Sequence, residues 1–301
     1  MSSSAKSNTA LLAPGAAAKA LSLRTKVSYG LPMIFLNGAG IVVRTALPKY
    51  YNDELGVGVG TLSLTIFVCG MIDLASSIAF AYAGDTFGRT RWGVRWGRRK
   101  PFIAVGTPFL AVAVLFLLFP PPSVTASATS AAAWFAGSYT FYVLAMQCVG
   151  VAYDAMGPAV TLDGPQRGSL YSWKAGLGVG GLIVFAGFQA GTAGLGEAAQ
   201  TKTLGIMLCA LAFVCYGALL RFVPLPAAAI SPASSASIAK QPALVPGVHL
   251  CGRNAQWRAF VLLSAGMSLL NEITAIAAFY VQCKQPCAER RPTRPHPPLI
   301  R

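Results

Sequence analysis

Seven stretches of this chain are apolar over about the length a helix needs to cross a bilayer, and that repetition constrains the fold more than any other feature. A helix rises ~1.5 Å per residue, so roughly 20 apolar residues cover a hydrocarbon core ~30 Å thick. The stretches are Val27–Leu47, Gly60–Ala83, Phe102–Phe119, Ala132–Val160, Ala175–Gly194, Thr203–Val223 and Trp257–Val281. They predict an all-α fold, a polytopic helical bundle whose solvent is lipid.

The composition agrees. Of 301 residues, 54% are hydrophobic and only 11% charged, and the mean hydropathy is +0.57. So few charges cannot cover a water-facing surface, which excludes a soluble globule, a disordered chain and an ordinary nucleic-acid-binding domain. The net charge of +15 sits in short basic clusters between apolar runs, the pattern of a membrane protein and not of a nucleic-acid partner. Seven scattered cysteines, several inside apolar runs, read as small buried hydrophobes. The first run is not a signal peptide: it follows a polar Ser/Ala/Lys stretch and contains Asn37 and Arg44. Residues 1–26 read as a cytoplasmic tail, with a Ser/Ala-rich transit peptide as the alternative.

Basic residues set the orientation. Lys6, Lys19, Arg24 and Lys26 precede the first span, and Arg89 through Lys100 crowd the second connection. The third connection, Pro120–Ala131, carries no charge. High and low values alternate, which places the N-terminus and every even-numbered connection in the cytoplasm. Residues 27–223 then form a six-helix bundle, 224–256 a Pro/Ala/Ser-rich cytoplasmic linker, 257–281 a seventh span and 282–301 a basic, Pro-rich tail. Six helices, a long linker and a further helix is the layout of a transporter built from two six-helix halves. The basic tail falls on the outer side, against the alternation. The expectation is a chain cut short after its seventh helix.

The second connection reads Gly84-Asp85-Thr86-Phe87-Gly88-Arg89-Thr90-Arg91-Trp92-Gly93-Val94-Arg95-Trp96-Gly97-Arg98-Arg99-Lys100-Pro101. A positive-inside anchor accounts for the charge alone. An interhelical clamp between Asp85 and Arg91, Arg95, Arg98, Arg99 or Lys100 accounts also for the acid at a helix end and the proline opening the next helix. Such a clamp holds one face of a rocking bundle shut.

These residues resemble the loop between helices two and three of the glycoside–pentoside–hexuronide:cation symporters, a branch of the major facilitator superfamily typified by melibiose permease. Lys26-Val27-Ser28-Tyr29-Gly30, Tyr50-Tyr51-Asn52-Asp53 with Gly56, and Thr161-Leu162-Asp163 with Arg167 and Ser172-Trp173-Lys174 extend the resemblance over about residues 26–180.

Arg44, Asp73, Asp154 and Glu272 lie within apolar spans. A charge there costs ~2.5–3.5 kcal/mol even on mild scales and is retained when it faces the interior. Arg44 either faces inward or snorkels to the headgroups. Asp73, near the midplane, either pairs with a neighbour, binds a cation or takes up a proton. The resemblance implies two acids one turn apart on the second helix as a Na⁺ or H⁺ site; Asp73 matches the first, and Ser77 stands at the second with a neutral hydroxyl. It likewise implies that Asn37 stands where the family has a sugar-binding acid, that Asp154 lies one turn past the family's helix-four acid (here Gly150), and that Lys174 keeps a basic residue early in helix five. Gly176/Gly180 and Gly187/Gly191 read as packing contacts. His249, His296, Cys283 and Cys287 do not form a metal site, and no nucleophile–base pair marks an enzyme.

The resulting expectation is cation-coupled symport, with H⁺ or Na⁺ as coupling ion and no other cofactor. The solute is a sugar or related polar molecule. The partners are the lipid bilayer and a second half or homodimer. The alternatives are a lipid-type substrate, or a half inactive by itself. The plasma membrane is the expected location, an organelle membrane the alternative.

Overall fold

The structure is a computed structural model and describes residues 20–87, 93, 96–161, 163–192, 194 and 196–224, with positions 254–256, 258, 259, 262, 263, 266 and 270 beyond them. Arg91, Arg95, Asn271, Glu272, most of the linker and seventh span, and the tail 282–301 lie outside the described residues. Among the described residues, six helices are long and apolar enough to cross a membrane. They are α1 (Leu23–Asp53), α2 (Val59–Phe87), α3 (Lys100–Leu118), α4 (Ala128–Asp154), α5 (Gly164–Gly191) and α6 (Glu197–Phe222). One short turn, Gly157–Val160, follows α4. The described part is an all-helical membrane bundle, as the apolar runs require.

Each of the six helices starts before its apolar run, because hydropathy marks what lies in hydrocarbon while caps mark where the helix begins. The Ser22 hydroxyl accepts the Thr25 N–H at 3.2 Å, so α1 starts at Leu23 and its polar first turn is helical. α5 starts at Gly164 with Pro165 in its first turn, so Arg167 and Lys174 are helical residues.

α1 also runs through Pro48 to Asp53. Proline inside a helix lacks its N–H and crowds the carbonyl four residues back, here that of Arg44. The backbone answers with a π-turn over Val42–Ala46, in which the Leu47 N–H reaches Val42 O. The Thr45 hydroxyl donates to Ile41 O at 2.6 Å and ties down the turn above it.

α4 packs between α2 and α3, α1 packs between α5 and α6, and α3 against α6 joins the two groups. α2 and α5 therefore stand at the two ends of the packing order. Only 6% of the apolar window of α2 and 22% of that of α5 is buried, against 50% for α3. The α1–α5 seam is close because its residues are small. A Cβ on Gly181 would lie 2.7 Å from Ile34 Cα, and one on Gly38 would enter the Phe185 ring. The core is aromatic, and two of its buried hydroxyls find backbone acceptors. Tyr51 Oη donates to Leu117 O at 3.0 Å and Tyr153 Oη to Tyr29 O at 2.8 Å.

Candidate functional site

Asp73 sits midway along α2, half-buried. Gln147 on α4 donates Nε2–H to its Oδ1. Neighbouring groups are polar too: Ser76 donates to Asp73 O at 3.0 Å, and Cys69, one turn toward the start of α2, lies 3.4 Å from the Thr140 hydroxyl of α4. Ser77 is one turn beyond Asp73, and its hydroxyl donates to Leu74 O at 2.8 Å. That hydroxyl hydrogen is spent on its own helix, while the oxygen lone pairs remain. Tyr142 is buried on α4. Arg44 itself is exposed and rides on the π-turn of α1.

A second group follows the α1–α5 seam. Asn37 Nδ2 donates to Gly178 O on α5 at 2.9 Å. Lys174, one turn before Gly178, reaches Asp154 Oδ1 at 2.6 Å. The Lys174 ammonium lies 4.6 Å from the Tyr153 ring centroid and 5.9 Å from that of Tyr171. Asp154 is the last residue of α4, so this pair lies at a helix end, while Asp73 lies at mid-helix. The structure thus joins Asp154 to Lys174, places Asn37 one turn further along α5, and leaves Asp73 in a separate group on α2 and α4.

A third group lies at the turn between α2 and α3. Arg99 Nη2 meets Asp85 Oδ1 at 2.6 Å, joining the end of α2 to the start of α3. Gly84 makes room for it: a Cβ there would lie 2.5 Å from Arg99 Nη1. Lys100 Nζ donates to Leu220 O at 3.2 Å, at the carbonyl-rich end of α6 where a cation is favoured. Arg98 is half-buried beside them.

Reasoning from the sequence missed Gln147. Its signal was an amide inside an apolar run, cheaper than a charge and so less conspicuous. Tyr142, Tyr153 and Tyr171 were missed as well, because aromatic residues in a membrane helix usually signify packing. Among the described residues no cluster of three His, Cys, Asp or Glu side chains is placed to hold a metal.

Residues 28–282 match the family described as MFS/sugar transport protein. Two proteins of Escherichia coli (strain K12) are similar to the chain. The inner membrane symporter YicJ is 30% identical over 167 residues, covering 54% of this chain and 33% of YicJ. YagG, named for glycoside/cation symport, is 24% identical over 269 residues, covering 86% of this chain and 54% of YagG. The chain therefore spans between a third and about half of the length of these curated relatives.

Proposed function

The chain belongs to the MFS/sugar transport protein family, and from that premise we propose that it serves secondary active transport, cation-coupled symport of a sugar or related polar solute by alternating access. It is an integral multi-pass membrane protein of a transporter family. One observation carries the coupling: Asp73 stands at mid-helix on α2, the least buried of the six, with a single side-chain amide on its Oδ1. A carboxylate at that depth is costly unless it is neutralised. Binding H⁺ or Na⁺ removes the cost, so cation occupancy biases the bundle between its two tilts. For Na⁺, the ligands would be the Asp73 carboxylate and the Ser77 oxygen, with water or solute completing the shell. For H⁺, Asp73 alone is enough.

Solute recognition belongs to the α1–α5 seam. Asn37 spends Nδ2 on Gly178 and offers its carbonyl oxygen to a solute hydroxyl. Lys174 and Asp154 supply charged donors and acceptors a turn away. The Asp85–Arg99 pair, with Lys100 and Arg98, is the proposed cytoplasmic gate; Arg91 and Arg95 extend its basic turn. The transport unit pairs this six-helix bundle with a second, either from further sequence or from another copy. The plasma membrane is the proposed location, in keeping with the inner membrane named for YicJ. A lipid-type solute is the second reading, favoured by the apolar surface of α2, where Phe67, Met71 and Leu74 are exposed.

The test is uptake of a radiolabelled methyl glycoside into vesicles carrying the protein, driven by an inward proton or sodium gradient. Accumulation that Asp73→Asn abolishes, with exchange of solute retained, is the expected result. Gradient-driven accumulation by Asp73→Asn at the parent's level would remove Asp73 from the coupling. Uptake of a fluorescent lysolipid in its place would establish the second reading.

A further inference from the structure

We propose that the end of the bundle where α1 begins and α6 ends holds an anionic phospholipid, its phosphate between Arg24 and Arg221. A contact brings the two arginines together. The Arg24 guanidinium lies 3.7 Å from the centroid of the Phe222 ring, and Phe222 follows Arg221 on α6. Both arginines are exposed. The ring supports the flat face of the Arg24 guanidinium and leaves its N–H edge open, the edge that grips a phosphate by paired hydrogen bonds.

Other basic groups at this end are engaged. Lys26 Nζ donates to Ser169 Oγ at 2.9 Å, Arg99 pairs with Asp85 at 2.6 Å, Lys100 Nζ donates to Leu220 O at 3.2 Å and Arg167 Nη2 to Thr161 O at 3.2 Å. Among the described residues, the side chains of Arg24 and Arg221 have neither an ion pair nor a hydrogen-bond acceptor. The helix dipoles are compatible with an anion here. α1 presents its positive end beside Arg24. The carbonyls that end α6 would repel a phosphate, but the Lys100 ammonium already covers that of Leu220.

Below Arg221 the surface is apolar and open. Gly217, Val214 and Ala210 recur at helical spacing from Arg221 on the exposed face of α6. A Cβ on Gly217 would meet nothing within 4 Å, so the turn under Arg221 leaves room for the top of an acyl chain. Arg221 to Ala210 spans ~17 Å at ~1.5 Å per residue, close to one leaflet of a ~30 Å hydrocarbon core. A stripe one leaflet long that ends at two open guanidinium groups fits an acyl chain beneath an anionic headgroup. A zwitterionic headgroup would bring its own ammonium against the same arginines. The lipid is a resident, separate from Asp73 and from the α1–α5 seam, so its binding does not depend on the transport reading.

The experiment therefore uses no transport. The 301-residue chain, purified in detergent, is titrated with dioleoyl-phosphatidylglycerol or dioleoyl-phosphatidylcholine and bound lipid is counted by native mass spectrometry. The two lipids share their chains and differ in headgroup charge. One phosphatidylglycerol is expected to bind at least fivefold more tightly than phosphatidylcholine. Arg24→Gln with Arg221→Gln is expected to bring the two lipids within twofold. Lys202→Gln, a charge lost at the far end of α6, is expected to keep the parent's preference. Phe222→Leu, which keeps both charges and releases Arg24, is expected to weaken phosphatidylglycerol about threefold, and it serves as the test should the double variant fail to fold. A parent without preference, a preference that survives in the double variant, or an equal loss in Lys202→Gln overturns the proposal. So does displacement of the bound lipid by an equal concentration of soluble glycerol 3-phosphate, since the apolar stripe would then contribute nothing.

Discussion

Lys174 Nζ lies 2.6 Å from Asp154 Oδ1, and the two partners sit in unequal surroundings: 16% of the lysine side chain is exposed against 66% of the aspartate. The lysine is wedged between α4 and α5 with Tyr153 at its flank, while the aspartate faces outward from a helix end. Removing either partner therefore has different consequences. An exposed carboxylate left alone is rehydrated, and a pair of this exposure contributes about 0.5–1 kcal/mol. The lysine has a ring contact of about 0.5–1 kcal/mol besides. Asp154→Ala is expected to cost less stability than Lys174→Ala. Equal losses in paired denaturation curves would mean that the Tyr153 ring adds nothing.

Gln147 and Asp73 form the other interhelical contact open to dissection. Gln147→Leu removes the amide donor from Asp73 in a low-dielectric wall, with an expected cost of about 1–3 kcal/mol. With Asp73→Asn already in place, the same substitution should cost markedly less. A coupling energy of about 1 kcal/mol or more in this double-mutant cycle is the expected readout. Strict additivity would make the contact incidental.

Much of this was legible in the chain, and the rest was hidden for physical reasons. The apolar runs located all six described helices, since hydrocarbon demands them. Asp73 announced itself because a charge inside such a run needs a cause. The run could not reveal that α1 continues through Pro48, because a π-turn absorbs the proline at a cost that hydropathy does not register. Nor could it pair Asp154 with Lys174, which lie on successive helices and meet only where the end of α4 comes back against the first turns of α5. Gln147 escaped notice for the opposite reason: an amide is tolerated in a run, and only the docking of α2 on α4 gives it a partner.

Gly181 and Gly180 are neighbours in sequence with opposite surroundings. A Cβ on Gly181 would meet Ile34 Cα at 2.7 Å and Ile34 O at 2.9 Å, both backbone atoms of α1 that cannot swing aside. A Cβ on Gly180 would meet nothing within 4 Å. Gly181→Ala is expected to prise the α1–α5 seam and cost about 1–3 kcal/mol. Gly180→Ala, on the open face, should stay within about 0.5 kcal/mol of the parent or gain slightly from helix propensity. Comparing the two by thermal size-exclusion chromatography decides the matter. A harmless Gly181→Ala would mean that the seam opens readily.

Tyr153 and Tyr216 are both wholly buried, yet their hydroxyls are treated differently by the fold. Tyr153 Oη donates to Tyr29 O at 2.8 Å and ties α4 to α1. Tyr216 packs edge-on against Phe35 at 5.8 Å between ring centroids, and its Oη has no hydrogen-bond partner among the described residues. A made hydrogen bond contributes about 0.5–1.5 kcal/mol, while an unmade one in an apolar wall costs about 1–3 kcal/mol. Tyr153→Phe should therefore lower stability, and the chemically identical change Tyr216→Phe should leave it unchanged or raise it, since the ring contact survives and the orphaned oxygen is gone. Unfolding followed by tryptophan fluorescence in the same lipid reads both. Destabilisation of Tyr216→Phe to the extent seen in Tyr153→Phe would show that its hydroxyl is held by a group the fold supplies in the membrane, and would make Tyr216 a polar element of the bundle centre and not a packing residue.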